Sequence, residues 1–264
     1  MRWYLLRPGD GRAAYDSGHI PGAIFMDLDT DLAGHETGRG RHPLPTTEEF
    51  RSRMEAAGIS TDCDVVVYDD AGGTIAARLW WMLDNLGHRN VSLLDGGIQA
   101  WTAAGRPLTR DMPSFAPATL EFSKDDWSSV VDRETLAMRL RDVTLLDSRA
   151  GERYRGEVEP IDPAAGHIPT ALSAPVTENL GADGLFLSKD DLRQRFEDLG
   201  AVDGTVVAYC GSGAAACHNI LALRVAGIDD AILYAGSFSD WSTAGLPVLT
   251  GDIPGDPLPM ESGS

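Results

Sequence analysis

Residues 209–218 read "YCGSGAAACH" and follow "GTVVA" at 204–208, a short β-branched run of the kind that makes a buried strand. The chain thus ends a strand on a cysteine, sets Gly211 and Gly213 within three residues of it, and then starts a helix. A thiol in that place sits where successive backbone N–H groups converge and where a helix dipole is positive, an environment that favours negative charge on sulfur. Both glycines are expected to take φ > 0 and let the backbone curl around the sulfur. With Ser212, Ala214 and Ala215 completing it, the loop reads as a cradle for an anion. The plainer alternative is a buried cysteine in an ordinary glycine-rich turn of an α/β protein.

Around this loop the signals alternate. "VTLLD" (143–147), "TVVAYC" (205–210) and "AILYAG" (231–236) read as strands. "SKDDLRQRFEDLG" (188–200) reads as a helix with a serine cap and a glycine stop, and "AAACHNILALRVAG" (214–227) as another. Short apolar strands between helices predict an α/β fold with a mainly parallel sheet flanked by helices, whose ligands collect beyond the carboxyl ends of the strands. Cys210 lies at such an end.

The pattern occurs twice. "GHIPGA" at 18–23 returns as "GHIPTA" at 166–171, "DVVVYDD" at 64–70 as "TVVAYCG" at 205–211, and "GGIQAWTAAGRPL" at 96–108 as "GSFSDWSTAGLPV" at 236–248. The offsets are 148 (His19 to His167), 141 (Asp69 to Cys210) and 140 (Trp101 to Trp241). These are two copies of one unit. The boundaries predicted are a first domain at 1–108, a proline-containing linker at 109–120, a second domain at 121–250 and a flexible tail at 251–264. At the position of Cys210 the first copy carries Asp69, which has no thiol chemistry, so the second copy is the active one. The drop in offset from 148 to 141 gives the first copy 7 more residues in or near "AGHETGRGRHPLP" (33–45), a loop of the kind that grows to carry function.

Composition bounds the rest. The chain has 264 residues and a formal charge of −18, which argues against nucleic acid or an anionic membrane as a partner. An anionic substrate must meet a local basic site. No apolar run approaches the length of a membrane span or a signal-peptide core, so the expected setting is cytoplasmic. Three cysteines, Cys63, Cys210 and Cys217, make neither a disulfide framework nor a zinc spacing, and no metal or organic cofactor is expected.

Together "GHIPGAIFMDLDTD", "GRHPLP", "ARLWWML", "LDGGIQAW", "LLDSRAGERYRGEVEPIDPAAGHIP", "YCGSG", "ACHN" and "DWSTAG" cover almost the whole chain, and with them it resembles a two-domain sulfurtransferase of the rhodanese family. The resemblance implies two tandem rhodanese-like domains and a persulfide mechanism. Cys210 takes a sulfur atom from a small anionic donor, 3-mercaptopyruvate or thiosulfate, and passes it to cyanide or a thiol, a thioredoxin-like protein among the possible acceptors. It also implies a relay of Asp29, His42 and Ser212, and Arg153 as the holder of the donor's carboxylate or sulfonate. Gly211, Gly213, Ala214 and Ala215 fall in the binding loop. Cys-Gly-Ser-Gly at 210–213 is the form of the mercaptopyruvate enzymes. Ala214 and Ala215 depart from the family's usual Val-Thr, losing a hydroxyl whose hydrogen bond is worth about 0.5–1.5 kcal/mol. A second basic residue, implied downstream of Arg153, is missing from 157–163. Arg149, two residues after Asp147, is expected to form a structural ion pair instead.

Two other readings compete with this one. A phosphatase of the same fold needs Cys-x5-Arg, and the sixth residue after Cys210 is Ala216. A sulfur-carrier or protein-binding module with a decayed loop sits poorly with Cys210 and both glycines in place. Finally, Arg2 lies 17 residues before His19 while Arg149 lies 18 before His167, so Met1 stands opposite Ser148. The first copy is therefore expected to lack the strand matching residues 144–147, as a chain truncated or started too far downstream would.

Overall fold

The structure is a computed structural model that describes residues 1–35 and 38–256; Glu36 and Thr37 of the enlarged loop, and 257–264 of the expected tail, lie outside the described residues. The chain divides into two compact units. Unit 1 holds residues 1–35, 42–128 and 180–187, and unit 2 holds 36–41, 129–179 and 188–264. The short run before His42 thus belongs with the second half of the chain.

Unit 1 contains α1 (Asp10–Ser17), α2 (Thr47–Ala56), β1 (Val65–Val67), α3 (Ala76–Asn85), β2 (Val91–Leu93) and α4 (Gly97–Ala103). Thr46 caps α2 by accepting from the Glu49 N–H while the Glu49 carboxylate accepts from the Thr46 N–H, so two orphan donors are satisfied reciprocally. Nearly every residue of α3 is buried, as its apolar "AARLWWML" requires. β1 and β2 pair in parallel, Val65 with Val91. They are the only sheet strands of this unit among the described residues, and a cavity of about 300 Å³ beside β1 is lined by Ile24, Met26, Cys63 and Val65–Val67 among others. The Met1 ammonium donates to the Tyr68 carbonyl. The Ser148 N–H makes the same bond to Tyr209 in unit 2, so the register of Met1 opposite Ser148 holds.

Unit 2 contains α5 (Arg133–Met138), β3 (Val143–Asp147), α6 (Gly151–Tyr154), β4 (Leu172–Ser173), a 3₁₀ turn (Val176–Asn179), α7 (Lys189–Asp198), β5 (Thr205–Tyr209), α8 (Ala216–Val225), β6 (Ile232–Leu233) and α9 (Ser237–Thr243). The four strands form one parallel sheet in the order β4-β3-β5-β6. Side chains alternate across it. Leu145, Val207 and Tyr209 join a cluster with Leu136, Phe238 and Trp241, while Leu146, Val206 and Ala208 are equally buried on the opposite face. Burial on both faces explains why these strands read as continuous apolar runs. α7 is capped by the Ser188 hydroxyl and buries only Leu192 and Phe196, one i, i+4 pair of an otherwise polar helix.

The repeat extends to single hydrogen bonds. Tyr15 stacks on His19 with ring centroids 3.9 Å apart, and Tyr154 on His167 at 3.8 Å. The Trp101 indole donates to Pro107 O at 2.9 Å, and that of Trp241 to Pro247 O at 2.8 Å. Arg2 donates to Gly18 O as Arg149 does to Gly166 O.

Candidate active site

The loop that follows β5 carries Cys210 through Ala215 and enters α8 at Ala216. Cys210 is therefore separated from the helix by a turn rather than seated at its first residue, and the nearest backbone donor is Gly213, whose N–H reaches Sγ at 3.1 Å. Gly213 has φ +83°, and a Cβ there would strike the Ala235 carbonyl, so only glycine fits. Gly211 corrects the expectation of a second positive φ, because it is not among the residues with one. Its lack of a side chain serves another end. A Cβ on Gly211 would lie 2.9 Å from Nη2 of Arg41 and 3.4 Å from Nη1 of Arg153, so the glycine leaves room for two guanidinium groups.

The loop is held from behind by the start of α9. Cys210 N–H donates to Ser237 Oγ at 3.1 Å, while Phe238 and Ser239 donate to the carbonyls of Cys210 and Gly211, both at 3.0 Å. Ser237 is fully buried at φ +55°, a conformation unfavourable for a residue with a side chain. Its counterpart in unit 1 is Gly97 at φ +53°. Unit 2 thus accepts strain on the order of 1–3 kcal/mol where the Ser237 hydroxyl grips the cysteine's backbone.

The matching loop in unit 1 shows what this backbone converges on. There the Asp69 carboxylate is buried and accepts the N–H groups of Ala71, Gly73, Ile75 and Ala76 at 2.8–2.9 Å. The aligned residues in unit 2 are Ser212, Ala214, Ala216 and Cys217. One copy of the loop closes on its own anion; the other carries a thiol at the same strand end. Cys217 is buried on α8 with its thiol on the Gly213 carbonyl, and His218 is buried against Asn179, both packing roles.

Beside the loop lies a cluster of charge. Arg153 on α6 donates to Glu159 at 2.7 Å and to Asp162 at 3.2 Å, and Arg41 pairs with Asp162. The side chains of both acids are nearly inaccessible, at 4% and 2%. Burial raises the Asp162 carboxyl above its usual range despite Arg41. Glu159 goes the other way, since the N–H of Asp162 and the Arg153 guanidinium outweigh the opposing effect of burial. Arg149 makes the expected buried pair with Asp147 at 2.6 Å, and Tyr209 donates to the same carboxylate at 2.7 Å. Arg153, a candidate in the sequence, lies in this cluster together with Arg41 from the enlarged loop.

Ser212 lies in the loop with 8% exposure. In unit 1, Asp29 and His42 are brought together, Nε2 to Oδ1 at 2.8 Å. The Trp3 indole donates to both Asp29 oxygens at 3.0 Å, and the buried Arg78 holds the His42 carbonyl at 3.1 Å. The acid and the base are thereby fixed in one orientation.

Comparison with known proteins bears on this arrangement. The rhodanese-like domain model matches residues 9–104 and 132–244. A Pseudomonas aeruginosa protein named "Probable 3-mercaptopyruvate sulfurtransferase" is 48% identical over 95% of this chain and 91% of its own. The human 3-mercaptopyruvate sulfurtransferase is 36% identical over 93% of this chain and 84% of its own. The structure of 3-mercaptopyruvate sulfurtransferase from Leishmania major superposes with a TM-score of 0.82 at 31% identity, covering 92% of this chain and 69% of that one. Two α/β copies, one with a cysteine and one with an aspartate at the same strand end, make this chain a two-domain member of the rhodanese family of sulfurtransferases.

Proposed function

We propose that the protein moves a sulfane sulfur from 3-mercaptopyruvate, or less efficiently thiosulfate, to a thiol or cyanide through a persulfide on Cys210. The observation that carries this reading is the pair of loops: backbone that gathers four N–H groups on a carboxylate in unit 1 carries a sulfur nucleophile in unit 2. Cys210 sulfur, as thiolate, attacks the donor's outer sulfur. With mercaptopyruvate the C–S bond breaks, its electron pair stays on carbon as an enolate, and one proton then gives pyruvate. With thiosulfate the S–S bond breaks and sulfite leaves with the pair. An acceptor thiolate or cyanide next attacks the outer sulfur of Cys210–S–SH, and the Cys210 thiolate departs. Loop N–H groups, including that of Gly213, stabilise charge on the sulfurs.

Arg153 is assigned to the donor's carboxylate or sulfonate, and Gly211, Gly213, Ala214 and Ala215 to the floor of the binding loop. Asp29 and His42 are assigned to proton handling with Ser212, the Asp29 contact fixing the imidazole's tautomer. The free thiols of Cys63, Cys210 and Cys217 suit a reducing, cytoplasmic setting, in which a thioredoxin-like protein would serve as acceptor. Steady-state kinetics with both donors side by side test the assignment. A higher kcat/KM for mercaptopyruvate is expected, because Ser212 offers a proton path and neither Gly211 nor Ser212 adds a cation. A clear preference for thiosulfate would contradict it.

A further inference from the structure

The repeat separates what the fold needs from what it does not. Where both copies keep a contact, as in the stacked rings of Tyr15 with His19 and Tyr154 with His167, the contact belongs to the fold. Trp3, Asp29 and His42 have no such counterparts. In the register that sets Met1 opposite Ser148, Trp3 stands opposite Ala150; in the register of His19 with His167, Asp29 stands opposite Thr177. Counted back from the helix caps Thr46 and Ser188, His42 stands opposite Gly184. The second copy folds without an indole, a carboxylate or an imidazole at these places. Their meeting in the first copy therefore calls for a reason other than the fold.

In that copy the run around Trp3 is fastened one residue at a time. The Met1 nitrogen donates to Tyr68 O, the Arg2 guanidinium to Gly18 O at 3.0 Å, and the Tyr4 hydroxyl to the Asp70 carboxylate. Gly11 lets α1 close on this run, since a Cβ there would strike the Arg2 carbonyl. Trp3 is held between these anchors. Its indole N–H donates to both Asp29 oxygens at 3.0 Å, and its ring meets the His42 ring edge-on at 5.5 Å. The Asp29 backbone is set by its own N–H on Asp27 Oδ1 at 2.8 Å, but its side chain is 49% exposed. A half-exposed carboxylate with one partner is free to turn; with an imidazole on Oδ1 and an indole across both oxygens it has one orientation. Since a carboxylate only accepts, the proton sits on His42 Nε2 and leaves Nδ1 as the basic nitrogen of the neutral ring.

We infer that Trp3 is a positioning residue: its indole N–H holds the Asp29 carboxylate against His42 and so fixes the imidazole for proton transfer to the carbon product of mercaptopyruvate cleavage. This inference rests on the assignment of Asp29 and His42 to proton handling. It gives Trp3 a donor-specific role, because the two donors differ in their need for a proton. The carbon fragment of mercaptopyruvate leaves as an enolate and must gain one proton to become pyruvate. Thiosulfate releases sulfite, which departs with its electron pair and takes none.

The test uses the full chain and the variants Trp3→Phe, Asp29→Asn and their combination. Pyruvate or sulfite release is followed in a single turnover at rising donor concentration. Trp3→Phe keeps an aromatic ring beside His42 and removes the N–H. Its limiting rate of pyruvate release falls about tenfold, while its sulfite release stays within about twofold of wild type. The double variant releases pyruvate no more slowly than Asp29→Asn alone, because both substitutions break the same contact. A second reading leaves Trp3 in place: its indole N–H proton, observed by NMR, moves upfield in Asp29→Asn as the charged acceptor is lost. If Trp3→Phe does not fold, that shift decides alone. Unchanged pyruvate release in Trp3→Phe, equal slowing with both donors, additive effects of the two substitutions, or an indole signal unmoved by Asp29→Asn overturns the inference and leaves the proton relay standing. If Asp29→Asn itself releases pyruvate at the wild-type rate, the relay falls and the inference falls with it.

Discussion

At the scale of single residues, the two copies differ where chemistry demands it. Ser237 and Gly97 share a positive φ, yet only the copy with the thiol carries a side chain there. The strain is matched by a bond from the Cys210 N–H to Ser237 Oγ, which ties the backbone at the thiol to the start of α9. Ser237→Gly should therefore relieve strain and lose one hydrogen bond, terms that nearly cancel at about 1 kcal/mol each. Its melting temperature should stay close to wild type while single-turnover sulfur uptake slows several-fold. Slowing in step with a large loss of stability would mean that Ser237 only packs. The sequence made Cys210 and Arg153 legible because their motifs are local. Ser237 was hidden because its contact with the Cys210 N–H depends on a positive φ, which has no one-dimensional signature.

At the scale of elements, strands and capped helices were readable from apolar runs, the Ser188 cap and the glycine stops. Of the strand expected at 231–236 only Ile232–Leu233 pairs as β6, since tertiary pairing rather than residue preference sets where a strand stops. What patterning could not show is which buried polar groups go unpaired. His88, between α3 and β2, is buried, and neither ring nitrogen has a hydrogen-bond partner among the described residues. Burial lowers its pKa from the usual 6.5, against the weaker pull of Asp62 and Asp64. Since the unfolded chain binds the proton more readily, the neutral ring costs nothing above pH 6.5, and stability is lost as pH falls from there toward the folded-state value. Thermal melts across that window should decline more steeply for wild type than for His88→Leu. Parallel declines would show that the ring gains a partner on protonation.

For the molecule as a whole, duplication is the fact from which function follows. Sequence offsets alone revealed two copies, and matching bonds such as Trp101 to Pro107 and Trp241 to Pro247 repeat it in three dimensions. The fold was legible because both copies keep the same apolar punctuation. The candidate site was less so, because Arg41 and His42, adjacent in sequence, fall in different compact units. Having one anion-lined loop closed on Asp69 and one bearing Cys210 makes the central claim that sulfur is carried by Cys210 alone. The most direct measurement is peptide mass spectrometry of the full chain after treatment with mercaptopyruvate and removal of excess donor. The account predicts the added mass of one sulfur atom on the Cys210 peptide, discharged by cyanide and absent from Cys210→Ser; sulfur on Cys63 or Cys217, or full turnover by Cys210→Ser, would contradict it.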